Sequence, residues 1–190
     1  MPAGVVDNSY LELGSANVYV DEGAGDIFVG GTSGIDVEVK EEWADLETDQ
    51  AGVGNRVLVN QDFNVSFNLR EIKLEQWRRV LASVKAIKDD ADSAKRRLEF
   101  RKVSGIDQLS LAHKITIKPI IGGVETTNKE KIIVIPFAAP FADTVKWSYA
   151  AKTQREVPAR FACLPDAANN NRCLYMGDET AVDATTPFGF

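Results

Sequence analysis

The stretch VLVNQDFNVSFNLREIKLEQWRRVL, residues 57–81, changes period halfway along, and that change decides the fold. Val57, Val59, Phe63, Val65, Phe67 and Leu69 occupy odd positions, interrupted only by Gln61. Asn60, Asp62, Asn64, Ser66 and Asn68 fill the even ones. Period two marks a strand with one face on a core and the other on solvent or a partner subunit. Its length exceeds the usual strand of roughly five or six residues and suits a large antiparallel sandwich. From Leu74 the step lengthens: Leu74, Trp77, Leu81 and Val84 recur every third or fourth residue, with Val80 alongside. That spacing predicts an amphipathic helix over about 71–87, its apolar stripe covering an edge or open end of the sandwich.

Towards the N-terminus the pattern is of short strands and turns. Leu11 and Leu13 alternate with Glu12, Gly14-Ser15-Ala16-Asn17 has turn chemistry, and Val18 and Val20 flank Tyr19. Gly23-Ala24-Gly25-Asp26 turns the chain into Ile27-Phe28-Val29, and Ile35, Val37 and Val39 alternate with Asp36, Glu38 and Lys40. Residues 41–55, EEWADLETDQAGVGN, hold five acids besides Gly52, Gly54 and Asn55, and read as a long acidic loop.

Beyond the helix, 88–105 (KDDADSAKRRLEFRKVSG) is densely charged, with Leu98, Phe100 and Val103 as its apolar anchors. Continuation of the helix, an exposed hairpin and a mobile loop all remain open; a projecting arm is the reading adopted. Strands then return. Leu109, Leu111, Ile115 and Ile117 share a parity with His113, Gly122-Gly123 makes a turn, and Lys131–Ile135 reads as a buried strand closed by Pro136. Val145, Trp147 and Tyr149 alternate, as do Val157, Ala159, Phe161 and Cys163. Cys173–Met176 makes a last short strand, and 177–190 a loose tail. The expected fold is mainly β: one domain over 1–190, an antiparallel sandwich or barrel with one flanking helix and long loops.

Charge is unevenly distributed. The chain of 190 residues has a formal net charge of −6, but residues 1–62 carry thirteen acids and two bases while 63–190 carry twenty bases and fifteen acids. Such a split can give one acidic and one basic surface, or merely intermix on folding. No run of 18 apolar residues occurs, so no membrane span is expected. The N-terminal MPAGVVDNSYLELG lacks a basic start followed by an apolar stretch, so no secretory signal is expected either.

Catalytic chemistry finds little material. His113, Cys163 and Cys173 cannot make the usual zinc sets alone, and the acids of 41–49 lack the alternate-oxygen pattern of a calcium loop. Neither G-x-S-x-G nor G-x-x-x-x-G-K-[ST] occurs, and Gly23-Ala24-Gly25 lacks the third glycine of a dinucleotide fingerprint. Lys95-Arg96-Arg97 and Arg101-Lys102 are basic clusters surrounded by acids, a poor footprint for sequence-specific nucleic-acid binding. Cys163 and Cys173 flank a predicted turn and can face each other across a hairpin; the default is two reduced, partly buried thiols. The sequon at Asn64-Val65-Ser66 lies inside a strand and is taken as chance. No catalytic, cofactor-binding or metal residue is nominated, and an enzyme is not expected.

What remains is an architecture, and it resembles the tail tube proteins of tailed bacteriophages. LELGSANVYVD (11–21) is similar to that family's opening strand pair, and GGTSGIDVEVKEEW (30–43) to its glycine turn and first long strand. Residues 57–81 resemble its long strand running straight into the helix, and REVPARFACLPD (155–166) its penultimate strand. Segment 88–105 has no counterpart in the family pattern.

The resemblance implies hexameric rings stacked into a hollow tube through which DNA leaves the capsid. It also implies relatives in contractile tails, type VI secretion systems and bacteriocins, and partners such as terminator, tape measure and baseplate or tip proteins. The expected location is the virion tail, assembled in the host cytoplasm. A lumen passing DNA should repel phosphate, which makes Asp36, Glu38 and Asp62 candidate lining residues. Stacked rings need complementary faces. Glu41, Glu42, Asp45, Glu47 and Asp49 are candidates for one, Arg78, Arg79, Lys95, Arg96 and Arg97 for the other. The alternatives are another tail component, such as a terminator, or a carbohydrate-binding sandwich using Trp43, Trp147 and Tyr149.

Overall fold

The computed structural model describes residues 15–48, 52–71, 73–141, 144–146 and 156–181. The chain opens with strands β1 (Ala16–Asp21), β2 (Asp26–Phe28), β3 (Thr32–Thr48) and β4 (Gly52–Leu69). Helix α1 (Leu74–Val80) follows, then β5 (Val84–Lys88), β6 (Arg96–Phe100), β7 (His113–Ile121) and β8 (Val124–Glu125). Strands β9 (Ile133–Pro140), β10 (Val157–Cys163) and β11 (Tyr175–Met176) complete the order. The fold is mainly β and antiparallel, an open sandwich-like arrangement with one α-helix, as the period-two segments predict.

One sheet runs β2-β1-β7-β9-β10-β4-β3, with β8 added to β7 and β11 to β9; β5 and β6 form a separate two-stranded sheet. The sheet curls so that its two ends approach: Thr32 Oγ1 donates to Ala16 O at 3.4 Å. Inside the curl, alternate residues meet in one core: Val18 and Val20 from β1, Ile115 and Ile117 from β7, Ile135 from β9, Ala159 and Phe161 from β10, and Val65, Phe67 and Leu69 from β4. The Phe67 and Phe161 rings stack with centroids 5.6 Å apart. Burying such side chains contributes about 1.5–3 kcal/mol each, so this face of the curl is what holds the fold.

Helix α1 plugs the open side with Trp77 and Val80. Beneath it the buried Gln76 amide donates to Val29 O. The helix has seven residues, not the seventeen or so its spacing predicts: Leu81 is already extended, with φ −124° and ψ 121°. The reason is tertiary. Val84–Lys88 pairs with Arg96–Phe100, from Val84↔Phe100 to Lys88↔Arg96. Val84 and Leu98 pack on the core, and Trp77 meets Phe100 edge-on at 5.9 Å. Pairing across strands thus overrides the apparent helical step at Leu81 and Val84. The charged segment 88–105 is accordingly a hairpin as far as Phe100. Its turn is built by Asp89, whose Oδ1 accepts from the backbone N–H of Ala91 and Asp92 at 2.9 and 2.8 Å.

Other expectations are also corrected. The acidic stretch 41–55 is not a loop: β3 runs to Thr48 and β4 begins at Gly52. Ala16 and Asn17 belong to β1 and not to a turn. Leu109–Leu111 is a short 3-10 turn ahead of β7. Strand β9 passes through Pro136, because His113↔Ala138 and Ile115↔Ile135 leave an extra residue there, and a bulge needs no N–H from proline. Of the strand expected around Val145, Trp147 and Tyr149, only 144–146 are among the described residues; they form no strand, and Val145 packs on the core. The tail expectation extends past Ala181, outside them.

Candidate functional site

Strands β3 and β4, 17 and 18 residues long, make the largest feature of the molecule that the core does not explain. Strand β10 pairs with β4 only from Leu69 to Asn64. From Val39↔Phe63 outward to Thr48↔Gly52, ten pairs hold β3 and β4 to each other. At about 3.3 Å per residue this ribbon reaches roughly 33 Å. Its outer strand, β3, is the edge of the sheet.

Three register shifts decide what each face carries. From Asp36↔Ser66 to Glu42↔Asn60, even residues of β3 lie opposite even residues of β4. Asp36, Glu38, Lys40 and Glu42 therefore share a face with Ser66, Asn64, Asp62 and Asn60. Between Glu42 and Trp43 the register slips by one residue at Val59, and Trp43 pairs with Leu58 and Ala44 with Val57. A slip of one exchanges faces. Val57 thus leaves the face of Phe63 and Val65 and joins that of Asp62, contrary to the alternation expected over 57–69. Val39, Trp43, Leu46, Val57 and Val59 are all exposed, Trp43 by 53% and Val59 by 58%.

Ionic contacts sort the nominated residues. Asp36, Glu38 and Asp62 are brought together on the even face, exposed and without an ion pair among the described residues. Arg160 of β10 lies in the same row, opposite Ser66, with its guanidinium 5.4 Å from the Phe141 ring, so the face is acidic but not uniformly so. The candidate ring-contact acids divide between faces. Glu42 lies with Asp62 and Asn60, whereas Glu41 and Asp45 lie on the Trp43 side. Glu41 accepts from Gln61 at 2.9 Å and from the Trp43 indole at 3.3 Å, and Asp45 pairs with Arg56 at 2.7 Å. Glu47 is placed by its backbone pairing with Val53, and Asp49 lies outside the described residues.

The basic candidates are not gathered into one free patch. Arg78 and Arg79 both hold Glu22, at 2.6 and 2.9 Å, which clamps α1 to the end of β1. Arg96 pairs with Glu75 at 2.6 Å, Arg97 with Glu99 at 3.1 Å, and Lys95 with Asp92 at 3.7 Å. On the outer face of the β5–β6 sheet, Arg97, Glu99 and Arg101 alternate, with Lys85 opposite Glu99. Three cations to one anion remain on that face.

Sequence reading missed Arg160 and the exposed apolar ribbon. The break at Gln61 in the odd-position pattern was the available signal for the latter. Among the described residues, no three His, Cys, Asp or Glu side chains stand together as a metal site would need. None of the helices in the described residues is long and apolar enough to cross a membrane. Neither the protein-family models nor the curated proteins compared contain a match to the chain.

Proposed function

We propose that the chain is a non-enzymatic structural subunit of a phage tail tube, in which rings of copies stack into a channel conducting DNA from capsid to host. The observation that carries this reading is the β3–β4 ribbon. A two-stranded ribbon is marginal in water on its own. A long edge strand without proline is a template for another chain. This ribbon extends ten pairs past its last support and exposes Val39, Trp43, Leu46, Val57 and Val59. A neighbouring copy laid along it in a closed ring pairs the edge and covers the face of Val39 and Trp43, opposite the acidic one.

The face bearing Asp36, Glu38, Glu42 and Asp62 supports a lumen role. Its negative excess over Lys40 and Arg160 repels phosphate, so DNA slides instead of sticking. On this reading the partners are copies of the chain and the other tail components, and the location is the virion tail. An open-ended stack distinguishes a tube protein from a terminator, which stops at one ring. Sedimentation velocity over rising concentration tests the proposal, with growth into large species expected and a monomer at every concentration contradicting it. If facing charges drive stacking, raising the salt lowers the assembled fraction.

A further inference from the structure

Strands β10 and β11 lie end to end along one edge of β9, because β7 occupies the other edge over the same residues. Cys163, the last residue of β10, is paired with Ala138, and the N–H of Leu164 donates to Phe137 O at 2.7 Å. Tyr175 of β11 is paired with Val134. Counting back two residues from Tyr175 sets Cys173 level with Pro136, two positions along β9 from the partner of Cys163. Two strand positions are about 6.6 Å. A disulfide spans Cα separations of roughly 4.4–6.8 Å.

The turn between the two residues is already closed. Asp166 N–H donates to Arg172 O at 3.0 Å, Asp166 Oδ1 accepts from Ala168 N–H at 3.1 Å, and Asn170 and Asn171 reverse the chain with φ of 55° and 57°. Both cysteines are free thiols and both line a cavity of about 810 Å³, together with Leu164 and Leu174. Cys163 is buried and Cys173 half-buried. The Cys163 thiol is pushed up to about 12, first by burial and then by the nearness of Cys173.

We infer that Cys163 and Cys173 form an oxidation site at which a small-molecule disulfide converts the two thiols into an internal disulfide that ties the 164–172 turn shut. Cys173, the more accessible, attacks first as its thiolate: its sulfur bonds to one sulfur of the reagent and the S–S bond breaks, releasing one small thiolate. The Cys163 thiolate then attacks Cys173 Sγ in the mixed disulfide, forming the internal S–S bond and releasing the second small thiolate. The two protons leave with the released thiols, and the reagent takes up the two electrons. Both protein thiols titrate above the ordinary range, so the reaction is slow at neutral pH. It accelerates roughly tenfold per pH unit above it.

The test uses the full chain and oxidised glutathione at pH 7, 8 and 9, with intact mass and thiol titration. The chain has two cysteines, so the count is unambiguous. Both thiols are expected to disappear with no glutathione retained. Trypsin cleaves after Arg160 and Arg172, which places the cysteines in separate peptides, and these are expected to be recovered cross-linked. C163S is expected to stop at one glutathione adduct on Cys173, and C173S to keep Cys163 reduced. The cross-link in wild-type protein decides the matter even if a variant does not fold. A wild-type chain that keeps both thiols, stops at a stable adduct, or links only between chains overturns the inference. None of these outcomes bears on tube assembly.

Discussion

Replacing Glu22 by Gln removes the anion that holds both Arg78 and Arg79 while keeping its shape. Arg79 is the larger loss, since its side chain is 10% exposed and that of Glu22 is 17% exposed. A charge-assisted hydrogen bond in such a setting contributes about 1.5–3 kcal/mol. The Arg78 pair, whose arginine is 47% exposed, adds no more than about 0.5 kcal/mol. The glutamine oxygen still accepts one bond, so the net cost is about 2 kcal/mol, below the 3–5 kcal/mol of a fully buried broken pair. Urea unfolding followed by far-ultraviolet circular dichroism measures it.

The pH dependence gives a second handle on the same pair. Burial pushes the Glu22 carboxyl up, but the guanidinium groups of Arg79 and Arg78 outweigh this and hold it below its ordinary value. A depressed folded-state pKa means stability that is present above the ordinary value and lost as pH falls through the folded one. The gap between wild type and E22Q should therefore close in acid. A cost under about 0.5 kcal/mol at pH 7, or a gap unchanged at pH 2.5, refutes the clamp.

Three further expectations follow from other parts of the molecule. Gly30→Ala should destabilise by about 2 kcal/mol in the same assay, because φ is +99° and the new Cβ would sit 2.9 Å from Glu71 Oε2 and 3.0 Å from its Cβ. Glu125 accepts from the Asn17 amide at 2.9 Å and the Tyr19 hydroxyl at 2.6 Å, with Lys118 at 3.5 Å, in that order holding its carboxyl low. Carboxyl NMR titration should find it ionised below the ordinary glutamate range, and its contribution lost as pH falls through that lower value. Trp43→Ser should leave unfolding free energy within about 0.5 kcal/mol of wild type, since the side chain is exposed, yet reduce sedimenting assemblies. Equal assembly at equal folded concentration would separate Trp43 from any interface.

The strands whose both sides are supported were readable, because burial on one face leaves alternation in the residues themselves. Val157, Ala159, Phe161 and Cys163 are all buried on β10, as their parity predicts, and so are Val65, Phe67 and Leu69 on β4. The ribbon was only half readable. Its residues 57 and 59 are as apolar as 65 and 67, but the register slip beside Trp43 turns them elsewhere, and a bulge has no composition of its own. Charge misled in the other direction: acids at 41–49 suggested a loop, while an edge ribbon tolerates acids as well as a loop does. The helix was overextended because Leu81 and Val84 fit two periods at once, and only the pairing of Val84 with Phe100 resolves them. For the candidate site, the acids of the even face were legible from alternation. The internal pairing of Arg78, Arg79 and Arg96 was not, since Glu22 and Glu75 lie far from them in sequence or on another element.

The proposed tube assembly rests on the β3–β4 ribbon and the open edge of β3. Electron microscopy of the purified wild-type protein at high concentration tests it most directly. Rings and hollow tubes of stacked rings, open-ended in length, are the expected result. Isolated monomers across the grid, with no rings, tubes or co-assembly with tail components, would contradict it.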